Sequence, residues 1–150
     1  MDGMKIKGLR QLERAMRKLP GKVAVKVARG ATLSGANIIK KEAKLRAPIR
    51  TVGTYKKRGS GKNVSYISWP GNLSESIIAR QNKKGSGFIQ YGVGTNDKGF
   101  YGHMVEFGTE HSAPHPFMRP AFDAKKQDAV KKIEQRLWAG LKRENMKLRR

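Results

Sequence analysis

From Lys22 to Arg46 the chain carries an unbroken helical pattern, and the middle of that pattern is built from very small residues. Val23, Val27, Ala31, Ile38 and Leu45 mark its apolar face. Gly30, Ala31, Ser34, Gly35 and Ala36 crowd its centre. Small side chains there cost helix propensity, but they let another element approach closely. Packing inside the subunit is the simpler reading of this waist, and a subunit contact is the alternative. The helix has to stop at Ala47-Pro48, because the residue before a proline is pushed out of helical geometry. Any fold for this chain is therefore arranged around one long, narrow-waisted rod.

The flanking segments follow from the same reasoning. Met4 to Gly8 alternates and predicts a short strand. Leu9, Leu12, Met16 and Leu19 then predict a first helix ended by Pro20-Gly21. After Pro48 the pattern dissolves until Asn72, giving a long basic loop (48–72). It holds Arg50, Lys56, Lys57, Arg58 and Lys62, interleaved with Tyr55, Tyr66 and Trp69, and contains no acid. Val64 to Trp69 is a candidate ribbon within it. Leu73–Arg80, Phe88–Val93 and Phe100–Phe107 read as strands, although the Ser-Glu-Ser of the first also fits a helical turn. A final helix runs from Arg119 or Pro120, with Phe122, Val130, Ile133, Leu137, Leu141 and Trp138 on its apolar side. Residues 142–150 form a basic tail. The expectation is a single α+β domain over residues 1–150. A small antiparallel β-sheet of about four strands is packed by two N-terminal helices and one long C-terminal helix.

Charge narrows the class of partner. Lys and Arg number 33 against 11 acids, a formal net charge of +22. That excess favours a polyanion, usually nucleic acid, over neutralisation by acidic protein neighbours. With no cysteine, disulfides, thiolate catalysis and thiolate zinc sites are excluded. The first residues lack the apolar stretch of a signal peptide, and no apolar run approaches the roughly 20 residues of a membrane helix. A cytoplasmic site of synthesis and no membrane partner are expected.

All three histidines, His103, His111 and His115, lie in or near Tyr101-Gly-His-Met-Val-Glu-Phe-Gly-Thr109 and Pro114-His-Pro-Phe-Met-Arg-Pro-Ala-Phe122. With Glu106 and Glu110 they could be read as a metal site. Read as a strand, however, the segment puts His103 and Glu106, three apart, on opposite faces. The other candidates sit in a Gly/Pro-rich connector. No Gly-x-Ser-x-Gly elbow supports nucleophilic catalysis, and the glycine pairs Gly85/Gly87 and Gly92/Gly94 lack the third glycine of a dinucleotide loop. No enzyme, metal or cofactor is expected.

The order of the motifs resembles one family. Gly8-Leu9 opens helix one, which closes at Leu19-Pro20, and the small-residue helix ends in Ala47-Pro48. Leu73-Ser-Glu-Ser-Ile77, Tyr91-Gly-Val-Gly94, Tyr101, Val105-Glu-Phe-Gly-Thr109 and Pro116-Phe-Met-Arg-Pro-Ala-Phe122 follow in turn. This is similar to the tail-completion, or head–tail joining, proteins of tailed-bacteriophage necks, named after the tenth gene product of a lambdoid siphophage. The likeness spans nearly the whole chain. It departs after Ala-Pro, where Thr51-Val-Gly53 interrupts the usual Thr-Gly pair and a basic insertion reaches Asn72.

The resemblance implies a structural virion protein at the top of the tail, made in the host cytoplasm. It implies a homo-oligomeric ring, six copies being the expected number, joining the head connector or stopper to the tail terminator or tail tube. Genome DNA would cross the lumen without being read. A closed ring needs two different patches that meet. Tyr101, Glu106, Phe107, Gly108, Thr109, Pro116, Phe117, Arg119 and Pro120 offer a stiff aromatic patch, with Phe107 and Phe117 as anchors. For both phenylalanines, core burial is the competing reading. Glu106 and Arg119 could form an ion pair within or between subunits. Arg50, Lys56, Lys57, Arg58 and Lys62, or the C-terminal cations, would line the lumen or a docking loop. A stand-alone, sequence-nonspecific nucleic-acid-binding protein is the alternative.

Overall fold

A computed structural model describes residues 9–49, 54–57, 65–68, 71–82 and 88–148. The order of elements is α1 (Leu9–Arg17), α2 (Gly21–Arg46), β1 (Thr54–Lys57), β2 (Ser65–Ser68), α3 (Asn72–Ser76), β3 (Ile77–Asn82), β4 (Gln90–Thr95), a single 3-10 turn (Asp97–Gly99), α4 (Gly102–Phe107) and α5 (Met118–Leu148). The candidate strand at Met4–Gly8 lies outside the described residues.

Two long helices form the frame. α2 has 26 residues and α5 has 31, about 39 and 46 Å at 1.5 Å per residue. They pack antiparallel. Val27 of α2 meets Gly140 of α5, and Gly35 of α2 meets Ala129 and Ile133 of α5. A Cβ on Gly35 would stand 2.6 Å from the Ile133 side chain, and one on Gly140 would stand 2.5 Å from Val27 Cγ1. The small waist of α2 is thus used inside the subunit, with Ala31, Gly35 and Ala36 buried.

The hydrophobic core is divided between the two ends of α2. Near its start, Leu12 and Leu19 cover Leu141 of α5, with Met16, Val23 and Leu137 around them. Near its end, Ala43 and Ala47 pack with Leu73, Ile77, Phe117 and Ala121, joined by Val93, Tyr101, Val105 and Met118. The second cluster brings α3, β3, β4, α4 and the start of α5 together, so it positions the motif-rich segment.

Several expectations are corrected. One four-stranded sheet does not form among the described residues. Instead β1 pairs with β2 and β3 with β4, as two separate antiparallel ribbons. In the second, Ile77 faces Thr95 and Asn82 faces Gln90. Phe100–Phe107 is not a strand: all but its first two residues form helix α4. Within 48–72 the candidate ribbon at Val64–Trp69 does hold a strand, β2, and its partner β1 lies where no element was expected: Tyr55 pairs with Ile67 and Lys56 with Tyr66. The C-terminal segment continues α5 as helix to Leu148 rather than leaving it at Leu141 as a separate tail.

The buried face of α5 also differs from its hydrophobic pattern. Ala121, Ala129, Gly140 and Leu141 are buried, whereas Phe122 and Trp138 are 51% and 39% exposed. Close helix approach selects small residues for the inside and leaves the large ones at the rim. In α2, Leu45 is exposed and Ala43 is buried, for the same reason.

Candidate functional site

The segment 101–122 folds as a buckle that fastens α4 to the start of α5. α4 begins after Tyr101, whose carbonyl accepts from the Met104 and Val105 N–H groups. Val105 packs against the second core cluster. The Val105 carbonyl also accepts from the His115 N–H at 2.8 Å, tying the returning chain back to the helix.

Between these points the chain reverses at Gly108. This residue has φ 78° and ψ 179°, a conformation open essentially to glycine alone. A Cβ there would stand 2.9 Å from both Pro114 N and Ser112 O. Thr109 and Ser112 then pair through both backbone N–H groups, at 2.9 and 3.2 Å. Gly108-Thr109 is thus a backbone requirement of the turn.

The buckle closes on Glu106. Its carboxylate accepts from the backbone N–H of Phe117 at 2.7 Å, Met118 at 2.8 Å and Arg119 at 3.1 Å. These are donors of the first turn of α5, which a helix cannot satisfy internally. The next residue, Pro120, has no N–H to satisfy. Ala121 then donates to the Phe117 carbonyl and starts the helical ladder. Every backbone donor at the start of this 31-residue helix is therefore accounted for. A negative charge at a helix N-terminus is favoured further by the macrodipole.

Glu106 is only 7% exposed. Burial pushes its pKa up, but the three backbone hydrogen bonds, and secondarily the Arg119 charge, outweigh this and hold it below the ordinary 4.5. The expected Glu106–Arg119 side-chain ion pair is replaced by this arrangement. The carboxylate is engaged by backbone, while the Arg119 guanidinium lies over the Phe107 ring, 5.5 Å from its centroid.

The remaining candidate residues divide sharply. Phe117 is 1% exposed and belongs to the core, so it offers no free surface for a neighbour. Tyr101 is half-buried against the same cluster. Phe107 is 65% exposed, with Met104 at 43% on the same short helix. Thr109 and Pro116 are exposed and Pro120 is half-buried. Arg50, Arg58 and Lys62 lie outside the described residues, while the backbone of Lys56 and Lys57 belongs to β1.

Beside the buckle runs an apolar groove of about 630 Å³ between α2, β4 and α5. Gly35, Ile39, Tyr91, Val93 and Ile133 form its walls, and Met118, Arg119 and Phe122 lie along its edge toward the buckle. The aromatic patch and the groove are thus neighbours sharing Arg119.

His103 and Glu106 lie on a helix, not a strand, which corrects the geometry expected for them. The His103 ring Nδ1 is 2.7 Å from the Phe100 carbonyl, and Glu106 is taken up by α5. Among the described residues, no group of three or more His, Cys, Asp or Glu is placed to hold a metal ion. No described helix is long and apolar enough to cross a membrane.

The molecule at this point is a small α+β scaffold whose most distinctive motif serves to lock a helix in place. A family profile described as "Bacteriophage HK97-gp10, putative tail-component" matches residues 10–108. The chain belongs to this family of phage tail components, which gives it a structural role in the tail and a place in the virion. The matched residues end at Gly108, so the Pro116–Phe122 part of the buckle lies beyond them. No curated protein and no solved structure matches the chain significantly.

Proposed function

We propose that this tail component is a non-catalytic ring subunit of the neck, completing the tail and joining it to the head connector. The observation that carries this reading is the pairing of a rigid, exposed aromatic patch with a neighbouring apolar groove. Met104 and Phe107 project from a helix fastened at both ends, so docking them orders little new chain. The groove presents a second, different apolar surface. A heterologous contact of unlike patches is what a closed ring requires.

Phe107 is the proposed anchor. Arg119 stacks on it and reaches the groove edge, so it can take part in both halves of the contact. The net charge of +22 suits a ring whose lumen admits genome DNA by nonspecific phosphate attraction. The basic segment carrying Arg50, Lys56, Lys57, Arg58 and Lys62 would serve the lumen or a neighbouring neck protein.

Reconstitution tests this role. Tails assembled in cells lacking this protein are mixed with DNA-filled heads, with and without the purified chain. The reading expects infectious particles only when the chain is added, and fewer with Phe107→Ala. Equal joining without the chain would overturn it.

A further inference from the structure

Strand β4 has one edge that β3 leaves unused. The Asn96 N–H donates to the Ser76 carbonyl at 3.0 Å, in register with the pairs that run from Ile77–Thr95 to Asn82–Gln90. Hydrogen-bonded and non-hydrogen-bonded pairs alternate along an antiparallel ladder. Gly94, Gly92 and Gln90 therefore bond β3, while the N–H and C=O groups of Tyr91 and Val93 point the other way. Among the described residues, those outward groups make no hydrogen bond.

That edge borders the apolar groove. Tyr91 and Val93 line the groove, whereas the residues of β3 do not. Their side chains share the face of the ribbon that buries Ile77, and Arg80, Asn82 and Gln90 are exposed on the opposite face. The groove thus combines unpaired backbone along one wall with apolar side chains from Ile39, Val130 and Ile133. An added β-strand needs this combination: main-chain partners along the edge, and room for every second side chain. A strand edge left open is also a liability that folded proteins usually cover.

We infer that Met4-Lys-Ile-Lys7 of the same chain is the strand that pairs with this edge, with Met4 and Ile6 in the groove. Two observations single it out. Met4 and Ile6 alternate with Lys5 and Lys7, so a strand there has one apolar and one cationic face. The segment also leads into α1, which shares one stripe of α5 with the groove. Val130, Ile133, Leu137 and Leu141 follow one another at spacings of three, four and four. The first two line the groove, and the last two pack with α1. Ile133 and Val130 lie only about 6 and 10 Å along the helix from Leu137. The eight residues before α1 reach about 26 Å when extended, so the groove is within their span.

In this arrangement the β3–β4 ribbon becomes a three-stranded sheet, and Lys5 and Lys7 face water. The β4 side of the groove is closed within the subunit. The groove edge at Met118, Arg119 and Phe122 stays open toward the buckle, so a neighbouring copy meets apolar surface there and not along β4. The pairing lies within one subunit and does not depend on the ring reading.

Amide hydrogen exchange of the full chain, read by NMR, tests the pairing. The Tyr91 and Val93 amides should be protected in wild type. Met4→Asp with Ile6→Asp should speed their exchange by on the order of 10-fold or more. Lys5→Asp with Lys7→Asp, on the other face of the same strand, should leave it near wild type. The Gly92 and Gly94 amides, which bond β3, report whether the ribbon itself holds. Unprotected Tyr91 and Val93 amides in wild type, or equal effects of the two variants, overturn the assignment. If the Met4/Ile6 variant loses the ribbon, cross-linking decides. The chain has no cysteine, so Ile6→Cys can be combined with Tyr91→Cys or with Val93→Cys and treated with a short bis-maleimide. A link within one chain is expected for at least one of the two pairs. No link, or links between chains only, overturns the assignment.

Discussion

Removing the Glu106 carboxylate should unfasten α5 from α4. In Glu106→Ala the N–H groups of Phe117, Met118 and Arg119 lose their acceptor together. A single helix cap contributes about 1–2 kcal/mol, which sets the lower bound. Hydrogen bonds to a charged group contribute about 1.5–3 kcal/mol each, so three would give about 4.5 even at the low end if they added fully. Bonds to one carboxylate are not independent, and water can reach part of the opened site. We therefore expect a loss of about 3 kcal/mol, or about 6–12 °C in Tm for a chain of this length.

Urea denaturation followed by circular dichroism gives the number directly. Glu106→Gln should recover little, because its amide replaces one acceptor oxygen by a donor facing other donors. Acid supplies an independent readout. The folded-state pKa of Glu106 is lowered, so its contribution is complete above the ordinary value of 4.5 and is lost as pH falls below it through the folded value. The stability difference between wild type and Glu106→Gln should therefore be full at pH 7 and shrink on acidification below that point. A loss under about 1 kcal/mol in Glu106→Ala, or a difference from Glu106→Gln that is unchanged at low pH, would refute the cap.

The other predictions concern packing and the exposed patch. Gly108→Ala should cost about 2 kcal/mol or more, since φ 78° is strained for alanine and Pro114 and Ser112 leave no room; a denaturation midpoint close to wild type would contradict this. Gly140→Ala should destabilise by about 1–3 kcal/mol through overpacking against Val27, and adding Val27→Ala should recover part of it. Additive losses in that double-mutant cycle would contradict the proposed contact. Phe117→Ala should cost about 3–5 kcal/mol as a core deletion. Phe107→Ala should cost under about 1 kcal/mol, near the value of an exposed cation–π contact.

Periodicity made the frame legible. The α1, α2 and α5 patterns each extend over several turns, and Ala47-Pro48 ends α2 where expected, with Ala47 at ψ 127°. α4 is hidden in the sequence because six residues are too few to show a period, and Val105-Glu106-Phe107 alternates as a strand does. Its helical form depends on long-range ties, the Val105 carbonyl to His115 and the Glu106 carboxylate to α5.

Leu141, Leu137 and Ile133 take the inner side of α5 as their pattern predicts, but Phe122 and Trp138 do not, although hydrophobicity ranks them above Ala129 and Gly140. Contact distance between helices, which sequence does not display, reverses that order. Glu106 stood out in the sequence, but as a partner for Arg119 alone. Capping rules look within the first turn of a helix, and this cap comes from 11 to 13 residues upstream. The clue available was Pro120, a first-turn residue whose missing N–H leaves three donors to satisfy. The open question of core against surface for the two phenylalanines resolves differently for each, Phe117 inside and Phe107 outside.

The central claim is that the buckle holds the fold while its exposed aromatic side joins subunits. Native mass spectrometry of wild type and Phe107→Ala, alone and mixed with tail tubes from the source phage, tests this most directly. The account predicts a closed ring for wild type in at least one condition, and its loss in a Phe107→Ala protein that keeps its helical content and denaturation midpoint. A wild-type chain that stays monomeric in both conditions, or a Phe107→Ala ring as stable as wild type, would contradict it.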